Sequence, residues 1–183
     1  MKGIALPLFI VGLISAHLAA GGAAAPDTRA IVRSLFDPAK LAKLAPRSAS
    51  DRIDKAMYWL HLCEDPATVM AGVVADLGWT GTRKGDLLIE RSLDNLDRLA
   101  RLGCLTPENL DLLRRGRAPT ITLGPYAGEI VELDHIVPVA HAPHWSNVIA
   151  NHQYLPRSAN RSKGDSMGPA ELAHERALVE AGF

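Results

Sequence analysis

Proline and glycine divide this chain more sharply than any other residues do. Between residues 27 and 116, apolar positions recur at helical spacing in short blocks. Most blocks open on a proline or a small capping residue and close on glycine or just before proline, which is the asymmetry expected of helix starts and stops. Residues 27–45 read as one or two short helices, interrupted at Pro38 and ended before Pro46. The next block opens with Ser48 or Ser50 as its cap and sets Ile53, Met57, Leu60 and Cys63 on one face. Asp65-Pro66 begins a helix that Gly78 stops. Residues 86–102 align Leu88, Ile89, Leu93, Leu96 and Leu99 before Gly103, and Thr106 caps a fourth helix that ends near Gly116.

After Gly116 the period changes from helical to alternating. Residues 120–123 and 129–133 alternate as strands do, and Pro138 closes the second of these runs. A loop over 139–150 carries His141, His144 and Trp145. Residues 153–155 form a further short strand bounded by Pro156, Ser158 caps a helix over 159–163, and Pro169 opens a last helix that runs to Ala181. The expected fold class is therefore α+β: a mostly helical region over 26–116, then a small β-β-α unit and a C-terminal helix within 117–183. With 48% hydrophobic and 22% charged residues the chain has the composition of a globular domain. That excludes a disordered chain and a multi-span membrane protein.

Residues 1–25 read as an export leader. Lys2 is the only charge before Asp27, an apolar run follows from Ile4 to Ile14, and small residues continue through Ala25. Cleavage is expected between Ala20 and Ala24, giving a periplasmic or extracellular protein with no stable membrane association once the leader is removed. In an oxidising compartment Cys63 and Cys104 can form one bridge, contributing roughly 3–4 kcal/mol by the chain-entropy model. Two buried free thiols are the alternative, and the sequence leaves both open.

Polar residues gather where the second region needs only apolar ones. Asp134 and His135 end the first strand of the pair, Asn151 starts the second, and Asn160 lies on the following helix beside Arg161 and Lys163. A strand end, a loop, a strand and a helix can bring these side chains to one cleft. A carboxylate and an amide oxygen are hard donors suited to Mg²⁺, which keeps several waters of its own. A nearby unligated imidazole titrates in the right range to take a proton from one of them. That combination points to metal-assisted hydrolysis of a phosphodiester.

The segments Leu133-Asp134-His135-Ile136-Val137-Pro138, Asn151-His152-Gln153-Tyr154-Leu155 and Asn160-Arg161-Ser162-Lys163-Gly164-Asp165 together resemble the signature of the HNH endonucleases. The resemblance covers residues 129–165, about a fifth of the chain. It implies a ββα-metal finger that cuts nucleic acid, DNA first and RNA as a second substrate, leaving a 5′-phosphate and a 3′-hydroxyl. By the same resemblance His135 is the general base, and Asp134 and Asn160 hold one divalent ion, Mg²⁺ or Mn²⁺. Asn151 orients the imidazole by hydrogen bonding. Many family members brace the finger with two CxxC pairs around zinc. Here Pro156 and Ala159 stand in the corresponding places, so no structural zinc is expected and the helical region must supply the brace.

Charge sets the remaining expectations. Twenty basic residues balance twenty acidic ones and aromatics are 5%, which argues against a protein that coats nucleic acid by bulk charge or stacks many bases. Local grip falls to Arg157, Arg161 and Lys163, with Arg114, Arg115 and Arg117 as a second basic run. His141, His144 and His152 have no regular ligand spacing and are expected in loop or substrate-contact roles. His61 and His174 are expected outside the chemistry, and Trp145 is the one tryptophan placed to meet substrate. The alternative to an enzyme is a non-catalytic nucleic-acid- or metal-binding module that retains the ββα frame.

Overall fold

The computed structural model describes residues 27–183, and the expected leader lies outside them. Six helices come first: α1 (Thr28–Leu35), α2 (Pro38–Leu41), α3 (Pro46–His61), α4 (Pro66–Asp76), α5 (Arg83–Arg101) and α6 (Pro107–Arg114). Side-chain oxygens cap most of them. Asp27, Asp37, Asp65, Thr82 and Thr106 each accept a backbone N–H from the first turn that follows. The helix expected to start at Ser48 or Ser50 starts at Pro46 instead. Proline is well placed there, because the first turn has no intrahelical partner for an N–H. At Gly116 the chain turns in the left-handed region (φ 71°), and a Cβ there would lie 2.7 Å from the carbonyl oxygen of Asp51, so only glycine fits.

Two strands follow, β1 (Val131–His135) and β2 (His152–Pro156), then α7 (Arg157–Lys163) and α8 (Pro169–Ala181). The strands pair antiparallel, with Asp134 opposite Gln153 and His135 opposite His152. The alternating run at 120–123 does not become a strand. Only Thr120 bridges, to Ile130, and its N–H and C=O are held by the side chain of Asn109 at 2.8 and 2.7 Å. Helix α7 begins one residue before Ser158, which lies inside the first turn and donates through N–H and Oγ to the Glu129 carboxylate.

The molecule is α+β, and its core crosses the boundary expected near residue 116. Phe36, Ile53, Leu60 and Leu99 from the helices share one buried cluster with Val131, Ile149 and Tyr154. A second cluster joins Leu87 of α5 to Val137 and Trp145 of the loop and Leu178 of α8. Trp145 is thus a core residue, not a substrate contact.

The centre of the α5 face is polar. Leu88, Ser92, Asn95 and Leu99 repeat at helical spacing and are all buried. Ser92 Oγ donates back to Leu88 O at 2.8 Å. Asn95 reaches the outer edge of β2, where Nδ2 donates to His152 O (2.9 Å) and Oδ1 accepts from Tyr154 N–H (3.1 Å). These bonds satisfy strand groups that burial would otherwise leave orphaned.

A second brace joins α3 to β2, where Tyr154 Oη donates to Asp54 Oδ1 at 2.6 Å. Burial outweighs the tyrosine hydrogen bond and pushes the Asp54 carboxyl up to about 6, with Asp51 adding to the rise. A raised folded-state pKa contributes stability in full below the unfolded value of 3.8, and that contribution is lost as pH rises through about 6. The whole effect is about 3 kcal/mol at 1.36 kcal/mol per pH unit. Asp54→Asn removes the ionisation and keeps an acceptor for Tyr154. The stability difference between variant and wild type should therefore widen in the variant's favour by about 3 kcal/mol between pH 4 and 7, then stay constant. Urea melts across that range check it; parallel curves would mean that Asp54 is not buried as described.

Cys63 and Cys104 are both free thiols. Cys63 Sγ donates to Trp59 O at 3.2 Å, and Cys104 is buried, with its thiol pushed up to about 11 by desolvation. Of the two readings of this pair, the structure has the unbridged one.

Candidate active site

Strand alternation sorts the site residues onto two faces. One face of the β-hairpin, with Val131 and Tyr154, packs on the helical body. The other presents Glu132 and Asp134 to α7, where Arg157, Asn160 and Lys163 follow at three-residue spacing, one above the other. Arg157 Nε donates to Glu132 Oε1 and Asn160 Nδ2 to Glu132 Oε2, both at 2.9 Å. Lys163 Nζ sits against both Asp134 oxygens, 3.2 Å from Oδ1 and 3.1 Å from Oδ2, and donates to His135 O at 2.7 Å. Gln153, opposite Asp134 in the register, donates to its Oδ2 at 2.9 Å. Burial works against charge on Glu132, but Asn160 and Arg157 outweigh it and hold its carboxyl below the ordinary value.

His135 closes β1 and points its ring at the loop. Its Nε2 lies 2.9 Å from Ser146 O. A carbonyl only accepts, so Nε2 carries the proton and Nδ1 carries the lone pair. Among the described residues nothing hydrogen-bonds Nδ1. The His152 ring lies beside that of His135, with centroids 4.5 Å apart. His152 is buried and donates Nδ1–H to Val148 O at 2.8 Å. Burial first, and the neighbouring His135 second, push His152 down to about 3, so it stays neutral.

Asn151 does not touch the imidazole. It is fully buried and spends its side chain on the loop entrance, where Oδ1 accepts from Val137 N–H (2.8 Å) and Nδ2 donates to Val137 O (3.0 Å). Ile136 N–H also donates to Asn151 O, at 2.8 Å. The expected orienting bond comes instead from the Ser146 carbonyl, which the loop presents because Asn151 pins its two ends together. Asn147, the other asparagine in this stretch, ties the loop to the helical body by donating to Leu41 O and Leu44 O, each at 2.9 Å.

The basic residues divide. Lys163 and Arg157 are engaged with Asp134 and Glu132, whereas Arg161 is exposed and makes no ion pair among the described residues. Arg114 and Arg115 both pair with Asp111. An open recess of about 330 Å³ lies beside Gln153 and is lined in part by Arg83, Arg91 and Arg98 of α5. His141 donates to Asp165 O and His174 to Ala150 O, while His144 is exposed against Trp145. Each of the first two histidines holds a backbone carbonyl.

The donor set suits a hard cation. The Lys163 ammonium rests among three oxygens, Asp134 Oδ1 and Oδ2 and His135 O, in a nook where its side chain is 12% exposed and that of Asp134 is 8%. Asn160 commits its amide nitrogen to Glu132, which leaves Oδ1 free among the described residues. No three His, Cys, Asp or Glu side chains gather among the described residues. A divalent ion here would draw on carboxylate, amide and water oxygens.

Glu132, Ser146, Gln153 and Asn95 do not stand out in the sequence reading. For Glu132 the signal is its position two residues before Asp134, which a strand places on the same face. For Asn95 it is the 88-92-95-99 spacing, which puts a polar side chain on the most buried stripe of α5. Ser146 carries no signal, because it acts through its main chain. Compared with family models, curated proteins and solved structures, the chain matches none.

Proposed function

We propose that this chain is an exported, metal-dependent endonuclease of HNH type that hydrolyses phosphodiester bonds, with DNA as its main substrate. The observation that carries the reading is the His135 imidazole. Its Nε2–H is fixed on Ser146 O and its Nδ1 lone pair is free among the described residues, at the end of β1 where Asp134, the preceding residue, faces α7 with its oxygen cluster. His135 Nδ1 takes the proton from the attacking water. The Ser146 carbonyl holds the ring in that tautomer by accepting the hydrogen bond from Nε2–H throughout. His152 stays neutral beside it and adds no second positive charge. Asp134 and the Asn160 Oδ1 would hold one Mg²⁺ or Mn²⁺ ion, and Glu132 fixes the Asn160 amide so that its oxygen is the free end. When bound, such an ion supplies Lewis acidity for the phosphoryl and leaving oxygens. Arg161 suits backbone phosphates without reading sequence, whereas Arg91 and Arg98 beside Gln153 are paired with Glu90 and Asp94.

The purified chain should nick supercoiled plasmid in Mg²⁺ and stop when chelator is added. Plasmid left intact at every metal concentration removes the reading. One observation favours a non-catalytic binding module instead, since the Lys163 ammonium already neutralises Asp134. That module would hold DNA in a salt-sensitive way and release it uncut.

A further inference from the structure

Three features meet at Lys163. It is the last residue of α7, its ammonium is held by three oxygen atoms, and two of these belong to Asp134, the carboxylate to which the proposed function gives the ion. A divalent cation and an ammonium cannot share that carboxylate, because two positive centres a few ångströms apart in a partly dry nook repel steeply. Resting on the metal-dependent reading above, we infer that Lys163 is a tethered counter-ion. It holds Asp134 in the ion-free protein and is displaced when the divalent ion enters.

The fold supports both states. In the ion-free state Glu132 has its own partners, Arg157 and Asn160, so Lys163 is the only cation paired with Asp134 among the described residues. Without it, Gln153 alone would face a nearly buried carboxylate. For the displaced state, the lysine stem has four rotatable carbons. Gly164, directly after it, turns away from the helix at φ 51°, and Gly164, Asp165 and Ser166 are exposed. The ammonium therefore has a path to water that leaves the helix in place. Lys163 is a positioning residue in this scheme: it acts on Asp134 and on the ion's affinity, with no part in proton transfer.

The test reads ion binding, not cleavage. A state in which the ammonium has left Asp134 only a tenth of the time weakens apparent ion affinity about tenfold. Lys163→Met keeps the stem and removes the charge, so it should bind Mn²⁺ about tenfold more tightly than wild type by calorimetry. Lys163→Arg should stay near wild type. Asp134→Asn in the Lys163→Met background should abolish the gain, which places the ion at this carboxylate. Equal or weaker Mn²⁺ binding by Lys163→Met overturns the inference, as does absence of binding by both proteins.

A second measurement needs no variant. In the wild type, Mn²⁺ should speed chemical acetylation of Lys163 several-fold relative to the other lysines, read by peptide mass spectrometry; an unchanged ratio overturns the inference. Intact plasmid together with tighter Mn²⁺ binding by Lys163→Met would remove the nuclease reading and leave the counter-ion in place. Nicking together with unchanged Mn²⁺ affinity would do the reverse.

Discussion

His135→Ala should lower plasmid nicking by about 10²–10⁴-fold, the range that a positioned general base contributes. Little of that loss should come from unfolding. The side chain is partly exposed and makes one hydrogen bond, to Ser146 O, so its removal should cost about 1 kcal/mol of stability. The measurement is a nicking time course at saturating Mg²⁺ paired with a thermal melt of the same preparation. Nicking at the wild-type rate by a folded His135→Ala protein would remove Nδ1 from the mechanism. A parallel series at raised pH separates a missing base from a misplaced substrate, because hydroxide partly substitutes only for the former.

Asn151→Ala should do the opposite, losing stability first and activity as a consequence. The side chain is fully buried and is the partner of both main-chain polar groups of Val137. Leaving a buried donor or acceptor unpaired costs about 1–3 kcal/mol, so the pair should cost roughly 2–4 kcal/mol allowing for partial relaxation. In a domain of this size that lowers the melting temperature by roughly 5–15 °C. Hydrogen exchange at the Val137 amide should accelerate well beyond that at Leu133, inside β1. Catalysis should fall because Ser146 hangs on the same loop, and the His135 ring loses its tautomer lock when that loop loosens. A Val137 amide as slow as in wild type would show that the loop is held by something other than Asn151.

The two asparagines show how far sequence can be read here. Asn151 and Asn160 are conspicuous because amides rarely stand in apolar strands and short helices without a job, and both do have partners in the fold. Their partners were out of reach of sequence reasoning. Asn151 bonds a main chain that only a closed loop brings within 3 Å, and Asn160 bonds a glutamate selected by strand alternation. The helices were legible because proline and glycine mark their ends locally. The run at 120–123 was misleading for the converse reason: alternation describes one strand, but a strand needs a partner edge along its length, and here Ile121 pairs with residues 128–129 across a tight turn while the Thr122 and Leu123 N–H groups go to Leu102 O at the end of α5. Lys163 looked like a phosphate contact because it follows Asn160. Its ion pair with Asp134 depends on the helix crossing the strand at one particular turn.

The Asn95 clamp has a consequence for inheritance as well as for stability. A hairpin held by its own metal can move between proteins as a cassette, since its scaffold travels with it. This hairpin borrows the edge pairing of β2 from α5 and the anchor of Tyr154 from α3, elements far upstream in the chain. Recombination that carried only the segment after Gly116 into a new host would deliver the reactive side chains without the helices that hold them in place. The helical half and the hairpin should therefore be found together, and should diverge in step at positions 54, 95 and 154.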